Sequence, residues 1–305
     1  MDILPYEPPM AGDLSAMYNR AVEPVPHCYP TTAEAFAAVM AKTAGQAKSN
    51  PLLRSRAAFV VVVDGTVLGF IDTAVGGPMV DGKGYTECGV IPFFWYEPGR
   101  RAAGQALLAR AEARLRDVGM REAEAFPQEY RYDFYHLHAA YLSDHLPHAG
   151  ALLAFNGYRR VRGEVYLDWP DFEPIDPPPA GAPADISVQW SEGRGTRPNV
   201  KVLAHHDGKQ IGECECESCG ELTSAPEAQD WFMTTGLFIA DEMQGRGLGK
   251  HLLRRALAEM RGAGYRHAAV STSLGNDRAF VFYSNFGYRF CDWTHGWRRK
   301  LTKKL

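Results

Sequence analysis

The sequence contains no apolar run approaching the ~18 residues that a membrane-spanning helix needs, so no membrane partner is expected. Its first residues, Met-Asp-Ile-Leu-Pro-Tyr-Glu-Pro-Pro, have neither a basic start nor an apolar stretch. No export signal is therefore expected, and the expected location is the cytoplasm. Net charge is also small, with 33 Lys and Arg against 36 Asp and Glu. No whole-protein field draws the chain to nucleic acid or anionic lipid. The basic run at the end (Arg298, Arg299, Lys300, Lys303, Lys304) is short and reads as a solvated tail.

Cysteine is sparse too, with 6 in 305 residues, and without an export signal these read as reduced thiols. Cys214, Cys216 and Cys219 have a spacing that can seed a zinc site, but no fourth ligand stands nearby. Alternation offers a simpler account. In a strand, Cys214 and Cys216 share one face and Glu213, Glu215 and Glu217 the other. No metal is expected.

The chain is long enough for two ordinary domains, and its 46% hydrophobic and 23% charged residues are those of a globular protein. Pro170 to Pro183 holds six prolines without apolar periodicity, which reads as a stiff linker. The expected division is therefore residues 1–169, a linker at 170–185, and residues 186–305.

Either side of that linker the chain repeats itself. Phe59–Val63 meets Asp64-Gly65, and Val200–Ala204 leads to Asp207-Gly208. Asp-Gly between short apolar runs signals a hairpin, because a type I′ turn needs positive φ at both central residues. The same offset carries Arg101 to Gln244, each opening a helix-like run. Leu107, Leu108, Ala111 and Leu115 stripe the first run; Leu252, Leu253, Ala256, Leu257 and Met260 stripe the second. A third match pairs Phe155-Asn-Gly157-Tyr158-Arg159 with Asn285-Phe-Gly287-Tyr288-Arg289 at a shorter offset. The first half thus carries extra residues, placed in the aromatic stretch Gln128–Tyr141. It also has room for helices before its hairpin, best at Thr31–Lys42, capped by Thr31 or Thr32. The second half offers only Ile186–Trp190 there.

From Gly236 the sequence runs through a short strand, Leu237, Phe238 and Ile239, into Gln244-Gly-Arg-Gly-Leu-Gly-Lys250 and an amphipathic helix. Glycines 245, 247 and 249 let the backbone approach a ligand closely. Unpaired amides at a helix start, with the dipole behind them, seat a phosphate. Arg246 and Lys250 add positive charge. A Rossmann turn fits poorly, since the spacing is Gly-x-Gly-x-Gly with no second βαβ unit. The P-loop pattern is missing.

These residues resemble the GNAT acetyltransferase superfamily, whose signature Gln/Arg-x-x-Gly-x-Gly/Ala is met by Gln244, Gly247 and Gly249. Asn276, Ala279, Tyr283, Gly287 and Tyr288 reproduce its later signature. The resemblance implies two tandem domains of an α/β (α+β) fold, each a twisted mixed, mostly antiparallel sheet with flanking helices. It implies acetyl-CoA as cosubstrate, with Leu237, Phe238 and Ile239 beside the pantetheine arm. Amides from Gln244 through Gly245, Arg246, Gly247, Leu248 and Gly249 to Lys250 would hold the pyrophosphate. Asn276, in the segment that Ala279 continues, would hydrogen-bond near the reactive end. Tyr283 would act as general acid toward the departing thiolate, a task that suits a neutral phenol. The acceptor must arrive unprotonated, and Glu213, Glu215, Glu217 and Glu221 are all available as bases.

Taken singly, Tyr283 also reads as a core residue and Asn276 as a helix cap. In the first half Arg101, Gly104 and Ala106 satisfy the phosphate-turn pattern. Leu146 and Leu153, however, stand opposite Asn276 and Tyr283, so that half is expected to lack the chemistry. His136 and His138 either line an acceptor pocket or belong to the core. The expected activity is acetyl transfer to a primary amine, preferably of a small molecule, by a monomer or homodimer. The alternatives are a non-catalytic acyl-CoA sensor or scaffold, and a protein lysine or N-terminal acetyltransferase.

Overall fold

The computed structural model describes residues 1–42, 53–76, 87–138, 140–177, 179–181 and 183–301. Ala139, Pro178, Ala182, Lys303 and Lys304, from stretches named above, lie outside the described residues. The chain forms two compact units. Unit one is Met1–Glu164 with Asp292–Leu305, and unit two is Val165–Cys291.

In chain order the first half supplies β1 (Asp2–Pro5), α1 (Ala11–Val22), α2 (Ala33–Ala41), β2 (Arg54–Val63), β3 (Thr66–Gly76) and β4 (Cys88–Tyr96). It continues with α3 (Arg101–Asp117), β5 (Glu122–Ala125), β6 (Leu142–Ser143), α4 (Pro147–Phe155) and β7 (Arg159–Trp169). The second half supplies β8 (Asp185–Ser191), β9 (Asn199–His206), β10 (Lys209–Ser218), β11 (Trp231–Ile239) and α5 (Leu248–Gly262). It ends with β12 (His267–Ser273), α6 (Asp277–Ser284) and β13 (Arg289–Lys300). The unit boundaries cut β7 after Glu164 and β13 before Asp292. Unit one is thus completed by the end of the chain.

The repeat read from the sequence is a repeat of structure. Asp64 and Gly65 have φ of 49° and 76°, and Asp207 and Gly208 have φ of 50° and 75°. Both tips are therefore the positive-φ turns that Asp-Gly favours. In unit one, β1 to β4 pair antiparallel in sequence order and β5 joins β4 in parallel. In unit two, β8 to β11 pair antiparallel and β12 joins β11 in parallel. The chain thus has the mixed, mostly antiparallel sheets with flanking helices that the resemblance implied.

Alternation explains the layers. On β3 Gly69 faces α3, where a Cβ would lie 2.8 Å from Leu107 Cδ1, while its neighbour Phe70 packs edge-on against Phe36 of α2. Adjacent strand residues point to opposite faces, so α2 and α3 sandwich this sheet. Thr32 caps α2, its hydroxyl accepting from the Ala35 amide at 3.1 Å. In unit two Gly212 faces Leu252 of α5 in the same way. The segment between β8 and β9 contains no helix. The opposite face of that sheet therefore has no counterpart of α1 and α2 within the unit.

The proline-rich stretch is a strap on unit two. Phe172 is fully buried, its ring 5.4 Å from that of Phe232, and Arg254 Nη1 donates to the Asp176 carbonyl at 3.4 Å. One apolar ring in a proline run suffices to tie it down.

In unit one the chain's last strand pairs antiparallel with β5, from Trp297 opposite Ala125 to Lys300 opposite Glu122. Glu124 of β5 is fully buried and accepts from Arg162 at 2.6 Å and Arg298 at 2.8 Å. His136 Nε2 meets Asp292 Oδ2 at 3.2 Å, both side chains shut away from solvent. A buried charge such as that of Glu124 holds only while its counter-charge is present. Glu124→Gln keeps the shape and removes the charge, leaving Arg298 without its carboxylate and Arg162 with Glu129 alone. Because Arg162 and Arg298 are partly solvated, a loss of about 1–3 kcal/mol is expected in urea unfolding. An unchanged urea midpoint would remove this cluster from the account of what holds β13.

Candidate functional site

The site begins with the register of three strands in unit two. Along β10, Gly212, Cys214 and Cys216 face α5, and the two cysteines are buried as free thiols. Cys216 Sγ lies 3.6 Å from Thr234 Oγ1 on β11. Cys219 is also buried, and desolvation pushes its thiol well above the usual range. Glu213, Glu215 and Glu217 take the opposite face, as alternation predicted.

The ladder between β10 and β11 slips once. Glu215 pairs with Gly236 but Cys216 pairs with Thr234, so Thr235 is the extra residue of a β-bulge. Just there β11 parts from β12. Their parallel register runs from Trp231 opposite His267 to Thr234 opposite Val270 and then stops. Yet β11 continues to Ile239 and β12 to Ser273. The two strands splay, and the far end of β11 presents a backbone edge that β12 does not take up.

Beyond Ile239 the chain turns through Gly245 and Gly247, at φ of 75° and 84°, and a Cβ at either would meet nothing within 4 Å. Positive φ explains why glycine stands here. Helix α5 starts at Leu248, and its first hydrogen bond from this turn is His251 N to Gly247 O at 3.0 Å. The amides of Leu248, Gly249 and Lys250 precede that bond and have no helical partner. Gln244 braces the turn, its side-chain nitrogen donating to the Ile239 carbonyl at 3.2 Å and to Asp241 at 2.9 Å. Arg278 Nη1 donates to Gln244 Oε1 at 3.2 Å, tying the turn to α6.

These pieces surround one cleft of about 450 Å³. Leu237 and Ile239 line it from β11; Gln244, Gly245, Gly247, Leu248, Gly249 and Lys250 from the turn and helix start; Asn276 and Ala279 from α6. Met243, Arg278 and Phe282 also line it, and sequence reasoning had not named them. Arg278, a cation two residues past Asn276, was the readable signal among these. Phe238 lies elsewhere. It pairs with Glu213, and its side chain is exposed on the opposite face. Arg246 is exposed and is not among the lining residues.

Asn276 caps α6, its side-chain oxygen accepting from Ala279 N at 3.2 Å, which leaves its NH₂ group as the donor for a ligand. Tyr283 lies one helical turn past Ala279 on the same face, and is only 7% exposed. Its ring packs edge-on against Tyr288 at 5.8 Å, and it does not line the cleft. Burial pushes its phenol well above the ordinary value, so it stays protonated at neutral pH.

Unit one repeats the frame and fills it. The β4–β5 register also stops early, at Ile91 opposite Ala125, while β4 runs on to Tyr96. Tyr96 pairs with Gly69 as Ile239 pairs with Gly212, so the two side chains are equivalent. A methyl on Gly104 would meet the Tyr96 ring at 2.5 Å, and the Tyr96 hydroxyl donates to the His148 carbonyl of α4 at 2.9 Å. The ring occupies the place that unit two keeps open. Packing also shifts the expected match: Gly104 abuts Tyr96 as Gly249 abuts Ile239. Gly104 is therefore the counterpart of Gly249, not of Gly247. Leu146 and Leu153 stand where Asn276 and Tyr283 stand, as the sequence implied. His136 belongs to the core, fully enclosed with Asp292.

Comparison with known proteins places this arrangement. Residues 198–290 match the family model described as an acetyltransferase (GNAT) domain. A tandem GNAT protein from the clavulanic acid biosynthesis pathway is similar over 100% of this chain and 99% of its own, at 16% identity and TM-score 0.69. A GCN5-related N-acetyltransferase from Sphaerobacter thermophilus is similar over 100% and 96%, at 13% identity and TM-score 0.62. A fungal GH3 β-N-acetylglucosaminidase contains a region, described as a GCN5-related glucosamine N-acetyltransferase, that is similar at 13% identity and TM-score 0.65. That similarity covers 98% of this chain and 38% of the fungal one. A search of curated proteins finds no match. Residues 198–290 thus carry a GNAT acetyltransferase domain, and the chain has the fold of tandem GNAT proteins. Among the described residues, no helix is long and apolar enough to cross a membrane.

The turn makes a quantitative prediction. Gly247→Ala forces an L-residue into left-handed backbone at a cost of about 1–2 kcal/mol, so coenzyme A affinity should drop roughly 5- to 30-fold. Gly249 has ordinary φ, and a methyl there would lie 3.5 Å from Ile239, a normal contact. Gly249→Ala should change affinity less than about 3-fold. Calorimetry on both variants separates the two positions, and equal losses would contradict the assignment.

Proposed function

We propose that unit two transfers an acetyl group from acetyl-CoA to a primary amine, preferably that of a small molecule, by direct attack. One observation carries this reading. The free amides at the start of α5, the Asn276 side chain and the unpaired edge of β11 all border a single cleft. That combination fits a long thioester with a paired phosphate at one end. The helix amides and Lys250 would hold the pyrophosphate. The β11 edge would hydrogen-bond the amides of the pantetheine arm as a strand does. Asn276 would donate near the thioester. Bound in this way, the cosubstrate supplies an activated acyl carbon, and the protein's work is alignment and proton transfer.

Tyr283 is the proposed general acid. Its raised pKa favours the protonated state, the one able to donate. Its place one turn beyond Ala279 is consistent with a side chain that reaches the cleft as the thiolate leaves. Tyr283→Phe should lower thiol release with acetyl-CoA and a small primary amine about 100-fold or more, with coenzyme A affinity retained. Tight binding without turnover across a broad set of amines would favour the sensor reading. Transfer to peptides and not to small amines would favour a protein acetyltransferase.

A further inference from the structure

The acetyl-transfer reading leaves open a base for the acceptor amine, and β10 carries three carboxylates, Glu213, Glu215 and Glu217. Strand register separates them. Glu213 stands opposite Phe238, beyond the bulge and toward the phosphate turn. Glu217 stands opposite Met233, where β11 is still paired with β12. Glu215 alone stands opposite Gly236, beside the bulged Thr235 and the point where β11 leaves β12.

Gly236 matters through what it omits. Paired residues on neighbouring strands point to the same face, so a side chain at 236 would lie under Glu215. A Cβ placed there would be 3.9 Å from Glu215 Oε2. With glycine, the carboxylate reaches over the β11 backbone next to the gap. On its other side Glu215 pairs with Lys201 of β9, whose ammonium lies 3.0 Å from Oε1. Lys201, Glu215 and Gly236 form one row across three strands. The ion pair holds the carboxylate in place, and the same ammonium lies farther from Glu213, at 3.7 Å. This face is the one opposite α5 and the cleft, and unit two puts no helix over it. The glutamate and the cleft thus approach the strand gap from opposite faces of the sheet.

Resting on the acetyl-transfer reading, we infer that Glu215 is the catalytic base that receives the acceptor's proton, and that Lys201 is its positioning residue. An acceptor arriving as an ammonium donates hydrogen bonds to Glu215 and loses one proton to solvent through it. The amine lone pair then attacks the acyl carbon through the gap. Once the C–N bond forms the nitrogen is strongly acidic, and its second N–H proton passes to solvent water. The C–S bond breaks, its electron pair leaves on sulfur, and the thiolate is protonated by Tyr283. Water then returns a proton to the Tyr283 phenolate. The acceptor class that follows is a basic primary amine, cationic at neutral pH.

Thiol release from acetyl-CoA is measured with spermidine, glucosamine and hydroxylamine as probes, for the full chain and for Glu215→Gln, Glu215→Asp and Glu213→Gln. Hydroxylamine is neutral at pH 7 and needs no base. Expected for Glu215→Gln is a fall in kcat of about 100-fold or more with the basic amines, and of less than about 5-fold with hydroxylamine. The rising limb of its pH profile should be lost, and its coenzyme A affinity should match that of the unaltered protein. Glu215→Asp should recover part of the rate, and Glu213→Gln should behave as the unaltered protein. If Glu215→Gln keeps the full rate and pH profile, or slows hydroxylamine equally, the base is elsewhere. A loss of coenzyme A affinity would reduce Glu215 to a structural role. An unaltered protein that binds coenzyme A but acetylates none of the three amines, hydroxylamine included, overturns the acetyl-transfer reading itself.

Discussion

One extra residue in β11 governs the second unit. With Thr235 inserted, the strand bends after Thr234 and its parallel register with β12 ends at Val270. A bulge re-aims a strand and ends its pairing locally, and everything in the site uses the space so made. Leu237 and Ile239 line the cleft because they follow the bulge, and the glycine turn lies where β11 runs out. The backbone groups left over by the splay cannot stay unpaired away from water without a cost. A ligand that is itself a chain of amides is a natural partner for them.

The first unit shows how little separates an open frame from a closed one. Its β4 outruns β5 as β11 outruns β12, and its hairpin glycine, Gly69, meets α3 as Gly212 meets α5. The difference is carried by Tyr96 where unit two has Ile239. A ring fills the gap and its hydroxyl fastens β4 to α4 through His148. The same half has leucine at 146 and 153, so a donor and a phenol are missing where the space is also missing.

Much of this was legible in the sequence. The Asp-Gly hairpins, the apolar stripe from Leu252 to Met260 and the glycine turn at 245–249 follow from short-range rules that depend on neighbouring residues alone. The bulge was not legible, because no residue type marks Thr235 as extra; it shows only when partner strands are counted against each other. That count separates Glu215 from Glu213 and Glu217 on β10, which the sequence left equivalent. The match of Gly104 to Gly249 was missed for a related reason. Pattern comparison aligned glycines by a fixed offset, whereas helix packing aligns the leucines that meet Gly69 and Gly212. The proline-rich stretch reads as a stiff linker because its prolines outnumber Phe172, whose burial against Phe232 depends on residues distant in sequence. Which strand lies beside β5 was likewise unreadable, since a strand's own residues do not name its neighbour.

Unit one finishes with Asp292 and the residues after it, although the rest of it ends at Glu164. On the ribosome, then, β5 waits with an open edge while the whole of the second half is made. Glu124 waits with it, lacking one of its two guanidiniums until Arg298 emerges. The unit made earlier is thus the later to close, and its closure waits on β13.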